Sequence, residues 1–307
     1  MSTEFHFLSA DRKTNLYAKI WRPAKEPLGI VQLIHGMAEH VNRYEEFAQF
    51  LTQQGWLVVG DDHLGHGHSA TENHLGYFGQ NKPVQFLLQD EINLCLALKK
   101  DYSSLPYVLL GHSMGSMMAQ CLLPILDQKI AGAILIGTSA VHHELTPAWP
   151  LISALNALTP HRVGHFLDTM AFGSFSKPFN RHVKFSWLTH SAEIIKKYDH
   201  DPWSGFTFTN NGFYTLFSLM KRATNPNWVT GIRRDLPILL ASGTHDPVGK
   251  FGRGPHYHLR LLKKAQFHDV TLKLFPGMRH EVLNEIDRQQ VYQYIAQWLG
   301  QNVLHYR

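Results

Sequence analysis

Residues Tyr107-Val108-Leu109-Leu110-Gly111-His112-Ser113-Met114-Gly115-Ser116-Met117-Met118 change character halfway along. The four residues 107–110 form a short apolar run, as a strand buried on both faces requires. From 113 to 126 the apolar residues recur at helical spacing. Between the two stands Gly-x-Ser-x-Gly. A strand that turns so abruptly into a helix leaves space only for small residues beside the serine, and glycine fills both flanking positions. The turn lifts the Ser113 hydroxyl above the sheet edge, where the helix N-terminus favours developing negative charge. Ser113 is therefore the expected nucleophile, and its strand–turn–helix setting carries the assignment more than the five-residue pattern does.

The reading extends in both directions from that turn. Residues 5–22 alternate apolar and polar around Asp11-Arg12-Lys13, which predicts an antiparallel hairpin. Gly29-Ile30-Val31-Gln32-Leu33-Ile34 and residues 56–60 read as buried strands, separated by a helix over 44–54 that Gly55 stops. Further strands are predicted over 130–136, 237–241 and 270–275, and further helices over 84–98, 251–267 and 284–299. This alternation predicts right-handed crossovers and a mainly parallel central sheet flanked by helices, an α/β fold. The rhythm fails between about 140 and 230, where aromatics and prolines are dense. Because the sheet resumes afterwards, this piece is an insertion between two strands. The expected organisation is a core of 1–139 and 231–307 with a helical lid, 140–230, over the carboxyl ends of the strands, where ligand sites of such sheets lie.

A serine hydroxyl is a poor nucleophile without a base, and on this kind of sheet the chain order is Ser, acid, His. Asp246 follows the apolar run ending Leu239-Leu240-Ala241, and His280 follows the next one, ending Leu274-Phe275. Both loops emerge on the edge that carries Ser113, so His280 is the expected base and Asp246 the acid that fixes its tautomer. His245 lies on the wrong loop, and His256, His258 and His268 fall in or beside a helix. Acyl transfer also needs donors for the oxyanion. The expected pair is the backbone N–H of Met114 and that of Met37, in the loop after His35-Gly36. His35 is expected to brace that loop, and Asp61 and Asp62 to bind loop amides.

Composition excludes several classes. Hydrophobic residues make up 44% and charged residues 17%, which rules out a disordered chain. No stretch is long and apolar enough to span a bilayer. The opening residues lack a basic cluster and an apolar core, so no export signal is expected and a cytoplasmic location is. Cys95 and Cys121 sit among leucines and read as small core residues. His63-x-x-His66-x-His68 falls among loop glycines, and His280-Glu281 lacks the second histidine of a zinc-protease helix, so no metal is expected. Residues 140–235 hold ten Lys/Arg against six Asp/Glu, most of the net charge of +5. No basic run is interleaved with aromatics, which argues against nucleic acid. A basic lid could instead meet anionic lipid at a membrane periphery.

These residues resemble a known family. His35-Gly36-Met37-Ala38-Glu39-His40 with Arg43-Tyr44, Asp62-His63-Leu64-Gly65-His66-Gly67-His68-Ser69, Gly111 to Gly115, Asp246, and His280-Glu281 with Asn284-Glu285 are similar to the monoacylglycerol lipase and lysophospholipase branch of the α/β-hydrolases. The resemblance implies cleavage of a monoacylglycerol, lysophospholipid or similar ester through an acyl-enzyme, with no cofactor. Leu64 stands where many relatives carry arginine, and Ser116 where many carry glycine. The lid resembles the family least. Its aromatics, Phe172, Phe206 and Phe213 among them, are candidates to hold an acyl chain, with His35 a further candidate. An esterase, thioesterase or peptidase could use the same triad. A non-catalytic binding protein on this fold would be expected to have lost it, and a dehalogenase or epoxide hydrolase would need aspartate at 113.

Overall fold

Eight strands form one sheet: β1 (Ser2–Leu8), β2 (Asn15–Trp21), β3 (Gly29–Ile34), β4 (Trp56–Asp61), β5 (Tyr107–His112), β6 (Gly132–Ile136), β7 (Ile238–Gly243) and β8 (Val270–Phe275). Their spatial order is β1-β2-β4-β3-β5-β6-β7-β8. The strands from β3 to β8 run parallel, and the predicted hairpin pairs antiparallel at one edge, Ser2 opposite Trp21 and Leu8 opposite Asn15. The computed structural model describes residues 1–70, 74–140 and 145–304. Residues 141–144 of the expected lid and 305–307 of the expected core lie outside the described residues.

Every residue of β3, β4, β5, β6 and β7 is buried, which is why these segments read as unbroken apolar runs. Successive side chains serve opposite layers. Ile30 and Ile34 face a core shared with α2 (Pro83–Asp101), α3 (Met114–Leu126) and α8 (Arg253–Lys264). Val31 and Leu33 face the other core, shared with α1 (Glu45–Gln53) and α9 (Arg288–Leu299). Helix α2 begins at Pro83, whose missing N–H costs nothing in a first turn. Helix α8 starts later than predicted because Lys250, Phe251 and Gly252 all have positive φ, which no right-handed helix accommodates.

The insertion between β6 and β7 carries α4 (Leu145–Leu158), α5 (His165–Phe172), α6 (Ala192–His200) and α7 (Asn210–Ala223). The last of these packs against α3. Phe213, Leu216, Phe217 and Leu219 are almost fully buried in the core that contains Met117, Met118 and Leu122 of α3. Leu216 and Met220 of the same helix also line the cavity that Ser113 lines.

Candidate active site

Four loops meet at the carboxyl edge of the sheet, those following β3, β5, β7 and β8. Ser113 opens α3 at φ 54° and ψ −115°, a conformation costly for any residue with a side chain. The glycines around it are sterically required. A Cβ on Gly111 would fall 2.3 Å from the Gly115 carbonyl oxygen, and one on Gly115 would fall 1.9 Å from that of Ile34. Ser116 explains its departure from the family pattern: its hydroxyl donates to the Ser113 carbonyl at 2.7 Å.

His280 and Asp246, 34 residues apart, meet at 2.9 Å between Nδ1 and Oδ1, with Asp246 fully buried and His280 nearly so. Burial pushes the Asp246 carboxyl up. The facing His280 ring, the Val248 N–H and the Ser242 hydroxyl outweigh that and hold it below its usual value. A carboxylate that stays ionised beside Nδ1 fixes the neutral ring with Nε2 as the basic nitrogen. Ser113 and His280 line one cavity of about 270 Å³. Among the described residues no hydrogen bond joins the Ser113 hydroxyl to His280; such contacts commonly tighten only when substrate is bound.

The loop after β3 narrows the choice of oxyanion donor. The Gly36 N–H donates to Glu39 at 2.6 Å, and the Ala38 N–H to His66 Nε2 at 3.2 Å. Between them the Met37 N–H has no acceptor among the described residues, and neither has that of Met114 behind the serine. Met37 lines the cavity, while the Met114 side chain is buried. His35 does not line it: its ring stacks on His63 at 3.7 Å and accepts the His63 N–H at 3.1 Å, bracing the loop from behind. Burial, with the His63 charge beside it, holds His35 well below the ordinary histidine value. Of the aromatic candidates, Phe172 and Phe206 line the cavity. Phe213 does not; it is fully buried in α7.

One buried network lay beyond sequence reading. Arg43 donates to Glu39 at 2.6 Å and through both terminal nitrogens to Glu281 at 2.7 Å. Glu39 also accepts from Gly36, Tyr44 and, at 3.1 Å, the ring of His112. One guanidinium thus ties the loop after β3 to the residue that follows His280, and Glu39 extends the network to His112 beside Ser113. Burial opposes the charge on each member, but mutual attraction wins: Arg43 is held well above and Glu39 well below its ordinary range. The insertion is tied to the same point, since the Tyr198 hydroxyl and the Gly205 N–H both donate to the Ala38 carbonyl at 2.9 Å.

Asp62 binds loop amides as expected, accepting the N–H of Val41 and of His68 at 2.8 Å. Asp61 does not. It is fully buried against His63 and Glu91, 3.2 Å from the His63 Nδ1, with neither oxygen in a hydrogen bond. It is still part of β4, paired with Ala18 of β2, so strand alternation sends its side chain to the opposite side from that of Asp62, into the buried layer. Asp61, His63 and Glu91 are also the one group among the described residues whose ligand atoms lie close enough to hold a metal ion. All three residues are buried, and none of them lines the cavity that holds Ser113.

The family model described as serine aminopeptidase, S33, matches residues 25–287. The human monoglyceride lipase is 26% identical over 306 residues, covering 96% of this chain and 90% of that protein. The monoacylglycerol lipase of Mycolicibacterium smegmatis is also 26% identical, covering 91% of each. The crystal structure of a thermostable carboxyl esterase from Bacillus coagulans, in complex with glycerol, superposes with a TM-score of 0.92 at 28% identity, covering 98% of this chain and 99% of that one. No described helix is long and apolar enough to cross a membrane. The chain belongs to the serine aminopeptidase S33 family of α/β-hydrolases, and it is a serine hydrolase of carboxylic esters.

Proposed function

We propose that the chain cleaves esters of glycerol bearing a single acyl chain, through an acyl-enzyme on Ser113. Ser113 attacks the ester carbonyl as His280 Nε2 takes its proton, and Asp246 stabilises the resulting imidazolium. The amides of Met37 and Met114 receive the oxyanion, each worth about 3–4 kcal/mol in the barrier. His280 then passes the proton to the departing glycerol oxygen, and water repeats the sequence on the acyl-enzyme.

The observation that carries this reading is the wall above Ser113. Met117, Phe172, Trp187, Phe206, Leu216 and Val248 make it apolar. A second cavity of about 570 Å³ shares Phe172, Met220 and Val248 with the first, which gives an acyl chain room to extend. A peptide N-terminus would need a free carboxylate near the serine. Glu39 and Glu281 are both tied to Arg43, which leaves Asp168 in the insertion as the carboxylate of the cavity wall without an ion pair among the described residues. Exposed Leu158, Phe166 and Met170 in the insertion support contact with a lipid surface. A chain-length series of monoacylglycerols and p-nitrophenyl esters tests the reading. Each further buried methylene is worth about 0.8 kcal/mol, so kcat/KM rises up to about fourfold per carbon until the cavity is full. A flat profile, or one confined to acetate and propionate, would refute it.

A further inference from the structure

Asp61 ends β4, His63 lies in the loop that follows, and Glu91 stands in the middle of α2; their side chains meet inside the protein. The His63 Nδ1 is 3.2 Å from Asp61 Oδ1 and 3.1 Å from Glu91 Oε1. Yet neither oxygen makes a hydrogen bond, and Asp61 Oδ2 has no partner either. Both oxygens therefore lie off the line of the ring N–H, where a proton on Nδ1 serves them poorly. The other ring nitrogen, Nε2, lies 3.2 Å from the His35 carbonyl oxygen, which can only accept. The neutral ring thus carries its proton on Nε2 and turns the Nδ1 lone pair toward the two carboxyl groups. Among the described residues no lysine or arginine pairs with Asp61 or Glu91.

Buried acceptors that converge in this way need a cation between them. Metal–ligand bonds of about 2.0–2.2 Å in a tetrahedral site put neighbouring donors roughly 3.3 Å apart and off each other's bond axes. The two separations from Nδ1 are close to that, and the donor atoms of all three residues lie within 4.8 Å of one another. The outer atoms are already held. Gln32 Nε2 donates to Glu91 Oε2 at 2.5 Å, and the Tyr107 hydroxyl donates to Gln32 Oε1 at 2.5 Å. Together with the bond from Nε2 to the His35 carbonyl, this is the kind of outer support that orients metal ligands. We propose that Asp61, His63 and Glu91 form a structural site for a divalent cation of the zinc type, with both Asp61 oxygens completing four donors. Two carboxylates and a neutral imidazole balance its charge. Without the cation a proton takes its place: burial, with Asp61 beside it, pushes the Glu91 carboxyl up to about 8. The site clamps β4 to α2 and fixes the ring on which His35 stacks, so it acts on stability and takes no part in the chemistry at Ser113. His66 and His68 are engaged elsewhere, with the Ala38 N–H and with Asp62.

The test measures bound metal directly. Tag-free full-length protein is produced in zinc-supplemented medium, dialysed against metal-free buffer and assayed by inductively coupled plasma mass spectrometry. About one equivalent of zinc stays with the wild-type chain, and less than about a fifth of that with Asp61→Asn/Glu91→Gln, which keeps the shape of the site and every histidine. Circular dichroism confirms that the variant is folded. Should it not fold, the wild type decides alone: refolded with Co²⁺, it develops the intense visible absorption of a four-coordinate ion, which histidines on the surface do not produce. Equal zinc in wild type and folded variant would assign the metal to exposed histidines. Less than about a fifth of an equivalent in the wild type would assign the gap to a proton. Either result, or refolding with Co²⁺ that gives no such absorption, overturns the proposal.

Discussion

Replacing Arg43 with methionine tests the buried network most severely. The side chain is 9% exposed and its two carboxylate partners 3% each, so the substitution removes three short charge-assisted bonds from a dry site. It leaves Glu39 with Gly36, Tyr44 and His112, and Glu281 with Asn284 at 3.0 Å, but neither with a full counter-charge. Breaking a buried pair from one side costs about 3–5 kcal/mol. At roughly 2–4 °C per kcal/mol for a domain of a few hundred residues, the melting temperature should drop by on the order of 10 °C. The sign with pH follows from the charges. Without the guanidinium the burial of Glu39 is no longer offset by Arg43 and its carboxyl rises from the low value it holds in the wild type, so protonation relieves part of the loss and the variant's deficit is smaller at pH 5 than at pH 8. Arg43→Met/Glu281→Gln, which removes one orphaned charge, recovers part of the loss. Differential scanning calorimetry at both pH values checks this. A single variant melting within about 1 °C of wild type, or a deficit that grows in acid, would refute the reasoning.

Asp246→Asn keeps the shape but favours the wrong tautomer of His280, so kcat should fall by about four orders of magnitude with KM little changed, as steady-state ester hydrolysis would show. Gly115→Ala sets a methyl against the Ile34 carbonyl oxygen, and the variant should yield little folded protein by circular dichroism and no activity. Burial, with Asp61 beside it, pushes the Glu91 carboxyl up to about 8. A carboxyl raised above its unfolded value of about 4.3 contributes stability below that lower value, and loses it as pH climbs through the higher one. The Glu91 contribution to the melting temperature should therefore decline between about pH 5 and pH 8 and level off above that, and Glu91→Gln should flatten the decline.

The sheet, and the edge of it that carries the proposed triad, were legible because their signals are local. Strands buried on both faces are continuous apolar runs, and Ser113, Asp246 and His280 each stand just past the end of one. The insertion was legible as a break in rhythm, not in its packing. Nothing in the spacing of Phe213 and Phe217 says that α7 lies against α3 while Phe172 and Phe206 face the cavity. Arg43 and Glu281 are 238 positions apart, and their contact is set by which loops the sheet order brings together. The same applies to Asp61, whose neighbour Asp62 turned to the loop amides while it turned inward to His63 and Glu91. Short-range pattern fixes element and edge; it carries no information about which side chains meet across loops.

The most direct test is chemical. The protein is treated with a fluorophosphonate and analysed by intact-mass and peptide mass spectrometry, alongside Ser113→Ala and His280→Ala. A single adduct on the Ser113 peptide, absent from Ser113→Ala and much slower to form in His280→Ala, is the predicted result. Ester hydrolysis that continues without any adduct at Ser113, or an adduct that forms at full rate without His280, would contradict the account.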